Sequence, residues 1–375
     1  MTKKEFRTLA DPETVRETID DLDLGGGTDH VDLRDARGRV LAERIDAGID
    51  VPGFDRAAMD GYAVRASDTV GADEADPAVL ELAGTVHAGE EPDVTVEVGT
   101  CVEVSTGAVM PPGADAVVVV ERTTEIDGDD GKDTEIECRT AVAPGENVMV
   151  AGADIAAGSR ALGPGTRLTP REIGLLSALG VDRVPVRSRP RVGIVSTGDE
   201  LVPPGEALDS DRGEIYDVNT TTIAAGVEAA GGEPVVYPHV GDDFEAMERT
   251  LRQAADECDL VLSSGSTSAS AVDVIYRVIE DRGELLLHGA AVKPGKPMLV
   301  GRLDQPDSVD TTDADTTSSQ SAYIGLPGYP VSAMTIFRVF VAPAIRAAAG
   351  RSEPATATVE GRMAAQQRHD EGRLR

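Results

Sequence analysis

The sequence predicts a multidomain α/β protein, and three observations carry that prediction. From Arg191 onward, short apolar runs alternate with helix-length amphipathic segments. Between residues 50 and 143 lies a Val-, Thr- and Gly-rich stretch with strand-like alternation. Two well-signalled helices bracket that stretch, which makes it an insertion into a small helical domain. A chain of 375 residues has room for about two to four domains with cores of their own.

The elements follow in order. Asp11-Pro12 supplies an N-cap and a proline at the first helical position, and the helix runs towards Leu24 and stops at Gly25-Gly26-Gly27. Thr95–Val104 and Ala116–Val120 read as strands, and the acidic stretch Ile126–Glu135 as a polar hairpin tip. Thr169-Pro-Arg-Glu172 is a capping box that opens a helix ending at Gly180. Residues 1–49 and 144–188 are therefore assigned to a discontinuous helical linking domain, and 50–143 to its β-rich insertion.

Residues 189–350 read as an α/β domain. Arg191–Gly198 is an apolar strand ending in a Gly turn, and Asn219 caps a helix that ends at Gly231-Gly232. Pro234–His239 and Leu260–Gly265 are further strands. Phe244, Met247, Leu251 and Ala255 share one helical face, and Val272, Ile275, Tyr276 and Ile279 mark another helix. Strands Met298–Gly301 and Ala322–Gly325 flank Asp304–Ser321, a low-complexity Asp/Ser/Thr segment expected to be disordered. Such alternation implies βαβ units and a mainly parallel sheet. Ligands of these sheets bind beyond the carboxyl ends of the strands. The loops Ser196–Glu200, Ser263–Asp273 and Leu326–Ser332 should therefore converge on one crevice.

Composition narrows the function. The formal net charge is −32, with the acidic surplus spread along the chain, which excludes nucleic acid and anionic membrane surfaces as partners. Cys101, Cys138 and Cys258 lack CxxC spacing and offer neither a disulfide framework nor a zinc motif, and the five histidines do not cluster. The N-terminus shows no targeting segment and no run approaches membrane-spanning length, so a soluble, cytoplasmic protein is expected.

Against that acidity, Lys293-Pro-Gly-Lys296-Pro297 stands out. Two of only five lysines lie on one proline-bounded turn. An ammonium group is a compact point charge suited to phosphate or another small oxyanion; a solvated turn is the plainer reading. Ser196-Thr197-Gly-Asp-Glu200 and the loop Ser263-Ser-Gly265-Ser266-Thr-Ser268 present hydroxyls and amides to an anion, or are simply capped turns. Glu200, Asp217 and Asp273 add carboxylates. Mg²⁺ takes one or two carboxylates plus phosphate oxygens, so the set suggests metal-assisted chemistry at a phosphate ester or anhydride. In the inserted region, Phe54–Val64 and Thr106-Gly107 are two further candidate loops, each also readable as a packed turn.

Taken together, these motifs resemble the molybdopterin molybdenumtransferases, the MoeA and gephyrin E-domain family. The matching pieces are Val51-Pro-Gly-Phe-Asp55, Met59-Asp-Gly-Tyr-Ala-Val64, Ser105-Thr-Gly-Ala108, Gly145-Glu-Asn147, Ser196–Leu201, Tyr216-Asp-Val-Asn219, Ser263–Asp273, Lys293–Pro297 and Gly325-Leu-Pro-Gly-Tyr-Pro-Val-Ser332, in family order. The resemblance implies a homodimer that inserts molybdate, or tungstate, into adenylylated molybdopterin with Mg²⁺-dependent release of AMP. By motif, Asp217 and Asp273 would hold the metal. Lys293, Lys296 and Ser332 would bind molybdate or phosphate, and Glu200 would assist in the same crevice. Ser196, Thr197, Gly265, Ser266, Ser268, Pro297 and Gly328 would line it, and Asp60, Thr106 and Asp154 would contribute from the smaller domains across the dimer interface.

Three departures are visible. Ser266 stands where the family loop has a second Gly, and Tyr329 where many members have Asn. The family also has a C-terminal β-barrel expected to supply part of the molybdate site, and residues 351–375 reach only the start of that β domain, so the expectation is either a truncated chain or reduced activity. A non-catalytic pterin-binding or scaffold role is the competing reading; a related adenylyltransferase is disfavoured by the β-rich insertion. The spread acidity, with few lysines, predicts a halophilic, archaeal source in whose salt-rich cytoplasm self-repulsion is screened.

Overall fold

The structure, a computed structural model, describes residues 9–127, 134–241, 243–265, 269–305, 320–355, 357–358 and 360–361, with the backbone alone for 269–274. The centres of the acidic tip and of the Asp/Ser/Thr segment, and most of 351–375, lie outside the described residues.

The first two sequence-predicted caps form. Asp11 Oδ1 accepts from the N–H groups of Glu13 and Thr14 at 3.0 and 3.1 Å, opening the helix Pro12–Asp20. That helix ends short of Leu24, and its Val15 and Ile19, with Leu22 and Leu24, join the core of the α/β domain. The capping box Thr169–Glu172 starts the helix Pro170–Ala178. Beside it, Thr28–Asp32 pairs antiparallel with Arg183–Arg187, and Ile45–Asp46 with Arg160–Leu162.

The inserted region forms a six-stranded sheet in the order Ala116–Val119, Gly61–Val64, Thr100–Val104, Ala78–Val86, Thr134–Cys138, Thr123–Asp127. Its neighbours are antiparallel except the pair Ala78–Val86 and Thr100–Val104. The strand expected from Thr95 begins only at Thr100, because Gly99 adopts φ +79° and turns the chain. Alternate residues of Gly61–Val64 feed two cores, Tyr62 and Val64 on one face and Ala63 on the other.

In the α/β domain the elements are labelled in chain order: β1 Arg191–Thr197, α1 Val218–Ala230, β2 Glu233–Val236, α2 Phe244–Glu257, β3 Leu260–Gly265, α3 Ala269–Arg282, β4 Gly283–His288, β5 Leu299–Asp304, β6 Gln320–Pro327, α4 Pro330–Ile336 and α5 Ala342–Ala348. The sheet order is β2-β1-β3-β6-β5-β4. The first four strands are parallel; β5 adds antiparallel to β6 and β4 antiparallel to β5, so the sheet is mixed. The side chains of Val192, Ile194, Leu260, Leu262, Ala322 and Ile324 pack against Ile223 and Val227 of α1. The opposite face, with Val195, Val261 and Tyr323, packs against Met247 and Leu251 of α2 and Ile279 of α3.

One expectation needs correction. The helical run Pro330–Ala348 is 19 residues long with a mean hydropathy of 1.4, enough by length and composition to cross a membrane. Its apolar side chains, including Ala333, Ile336, Phe337, Phe340, Val341 and Ile345, are instead spent on the domain core. A π turn, Phe337–Val341, joins α4 to α5 just before Pro343, which has no N–H to continue the ladder.

Candidate functional site

Strand register brings the predicted loops together. β1, β3 and β6 are adjacent and parallel, with Ser196 beside Ser264 beside Leu326, and Thr197 beside Gly265 beside Pro327. The carboxyl ends of the three strands therefore lie side by side, and residues 266–268 of the expected crevice loop lie outside the described residues. Their backbones are in close contact: a Cβ on Gly265, whose φ is +147°, would collide with the Thr197 carbonyl, and one on Gly328 would lie 2.8 Å from the Gly265 carbonyl oxygen. Only glycine fits there.

The serines of β3 divide by face. Ser263 turns towards α2 and α3, where its hydroxyl pairs with Tyr323 Oη at 2.5 Å. Ser264 faces α1 and accepts from Asn219 Nδ2 at 2.8 Å; the same amide nitrogen also donates to the Gly328 carbonyl at 2.8 Å. Three buried side-chain oxygens, Ser196 Oγ and Thr197 Oγ1 on β1 and Asn219 Oδ1 on α1, have no hydrogen-bond partner among the described residues. Ser196 and Thr197, consecutive on a strand, face opposite sides of the sheet. Buried polar atoms are normally satisfied, so Ser196 and Asn219, both on the α1 side, mark a place for a polar ligand.

The cap of α1 corrects the sequence reading. Asp217, not Asn219, is the N-cap: its carboxylate accepts from the Thr220 N–H at 3.0 Å and the Thr220 hydroxyl at 2.6 Å. Asn219 lies in the first turn, its side chain drawn inward by Ser264 and Gly328. Two donors still leave Asp217 with lone pairs. A carboxylate at the head of α1 suits a hard cation or a phosphate-bound one. Among the described residues, no group of three or more His, Cys, Asp or Glu side chains is poised to hold a metal by itself. The side chain of Asp273, in the first half of α3, and all of Ser266 and Ser268 lie outside the described residues.

Glu200 is exposed and folds back over Gly198, where a Cβ would lie 2.7 Å from its carboxylate. His239, which the sequence did not single out, bonds through Nε2 to the Gly198 carbonyl at 2.8 Å and so braces the same turn. The lysine turn sits against α4. Gly295 is buried, and its Cβ position is 2.7 Å from Ile336 Cδ1 and 3.8 Å from the Ser332 carbonyl oxygen. Lys293 is exposed, while Lys296, Pro297, Gly328 and Ser332 are half-buried. Lysines and the Leu326–Ser332 loop are thus neighbours, although about 30 residues separate them in the chain.

Asp60 and Thr106 also meet, on the sheet of the inserted domain. Asp60 Oδ1 accepts the Thr106 N–H at 2.5 Å and its hydroxyl at 2.7 Å. These bonds, the backbone one foremost, hold the carboxyl below its usual pKa. Asp154 is exposed beside Val51, whose carbonyl accepts its N–H at 2.9 Å.

Comparison with known proteins agrees with this geometry. Residues 11–180 match the family described as MoeA N-terminal region (domain I and II), and residues 193–347 match the probable molybdopterin binding domain. Molybdopterin molybdenumtransferase 2 of Mycobacterium tuberculosis is 37% identical over 332 residues, covering 86% of this chain and 76% of that protein. Molybdopterin molybdenumtransferase of Nostoc is 34% identical, covering 93% and 77%. A crystal structure of the molybdopterin biosynthesis MoeA protein from Pyrococcus horikoshii superposes with a TM-score of 0.76 at 37% identity, covering 92% of this chain and 81% of that one. On the family models, the relatives and the fold, the chain belongs to the molybdopterin molybdenumtransferases of the MoeA type, enzymes of molybdenum cofactor biosynthesis.

Proposed function

We propose that this enzyme inserts molybdate into adenylylated molybdopterin at the crevice formed by β1, β3 and β6, with release of AMP. The observation that supports the reading is the adjacency of the β1, β3 and β6 carboxyl ends, with Ser196 Oγ and Asn219 Oδ1 buried and unpartnered there and the lysine turn packed on α4, the helix that follows β6. Lys293, Lys296 and Ser332 would hold the oxyanion or the substrate phosphate. Asp217 and Asp273 would hold Mg²⁺, which when bound neutralises charge on phosphate oxygens. Glu200 would assist at the mouth of the crevice. Asp60, Thr106 and Asp154 would complete the site from the second subunit of a homodimer. The large acidic surplus further supports a salt-rich cytoplasm as its setting.

AMP release from adenylylated molybdopterin, followed with molybdate or tungstate and with or without Mg²⁺, tests the reading. Lys293→Ala and Lys296→Ala are each expected to weaken molybdate binding by about 1–3 kcal/mol, the range for loss of a charged hydrogen-bonding partner. Arginine should not restore it, because the planar guanidinium cannot replace a compact ammonium on that turn. Unchanged molybdate affinity in the folded double variant would make the turn structural only. Tight pterin binding without AMP release under any condition would mark a non-catalytic pterin carrier.

A further inference from the structure

We propose that Asn219 is a positioning residue of this crevice: its amide ties the start of α1 to the ends of β3 and β6 and thereby sets the spacing of the loops that hold the pterin substrate. The proposal rests on the crevice reading above. The side chain is 7% exposed, and Nδ2 makes two bonds of 2.8 Å, to Ser264 Oγ and to the Gly328 carbonyl. A carbonyl only accepts, so the nitrogen must face Gly328 and the amide has one usable orientation. Gly328 is packed on Gly265 and begins the segment that leads to Ser332, so the clamp governs where that segment lies. The other end of the amide, Oδ1, is buried without a partner, as is Ser196 Oγ on the neighbouring strand. An asparagine serving only to glue a helix to a sheet would be satisfied at both ends, because an unmet buried acceptor is destabilising.

The test is the Kd for molybdopterin of the full chain and of Asn219→Leu, Asn219→Gln and Ser264→Ala, each measured where it is folded. Asn219→Leu should raise the Kd about tenfold or more, and Ser264→Ala, which keeps the Gly328 bond, by less. Asn219→Gln, which keeps an amide donor, should recover part of the affinity that Asn219→Leu loses. If Asn219→Leu fails to fold, Asn219→Ala takes its place. Parental affinity in folded Asn219→Leu or Asn219→Ala, or no recovery in Asn219→Gln, overturns the proposal. Lys293→Ala and Lys296→Ala are measured alongside: parental affinity in both overturns the crevice reading and the clamp with it, whereas impaired lysine variants beside an unaffected Asn219→Leu overturn the clamp alone.

Discussion

Thr106 places two donors on one oxygen of Asp60, and both favour the ionised carboxyl. The folded-state pKa lies below the unfolded one, so the stability this group contributes is present above the ordinary carboxylate range and is lost as pH falls through the depressed folded value. Thr106→Val keeps the backbone donor and removes the hydroxyl. The Asp60 titration, followed by NMR, is expected to move up towards the ordinary 3.8 without reaching it; an unmoved titration would mean that the hydroxyl bond is absent in solution. The two residues were legible as separate motifs. Their bond was not, because it spans 46 residues and depends on the pairing of Gly61–Val64 with Thr100–Val104.

Helix starts show how far local sequence carries at the scale of elements. Asp11, Thr169 and Asp243 cap helices through bonds confined to the next few residues, and the first two are legible in the chain alone. At α1 two residues of capping type lie two apart, and the choice of Asp217 follows from tertiary contacts that engage Asn219 elsewhere. At α4 the cap position is Tyr329, which makes no capping bond and is 72% exposed. Tyr329→Asn should therefore stabilise the protein by about 1 kcal/mol, read from the denaturant midpoint at unchanged slope. A loss of stability would show that the tyrosine ring contributes more than the missing cap. β4 is a short edge strand, Gly283–His288, that follows α3 directly with only Gly283 to mark the boundary, and a six-residue run after a helix is hard to separate from it by periodicity.

Charge dominates the behaviour of the whole molecule. Even if every Lys and Arg were paired with an acid, the surplus of 32 carboxylates would remain, and the observed pairs such as Arg183–Asp32 are exposed and individually weak. Repulsion of this extent is fully screened only near 1 M salt, where the Debye length is about 3 Å. The Tm is expected to rise steadily from low to molar salt; a flat profile would show that the acidic surface does not destabilise the fold. By itself the sequence determined this charge, the two bracketing helices, the strand–helix alternation and the order of the motifs, because composition, caps and periodicity are local properties. Only the tertiary structure decided that β4 and β5 close the sheet antiparallel, that Asn219 clamps Ser264 and Gly328, and that Gly295 brings the lysine turn against Ser332. Each of these depends on strand register and on side chains distant in the chain meeting across a packed interface, which no local window of residues encodes.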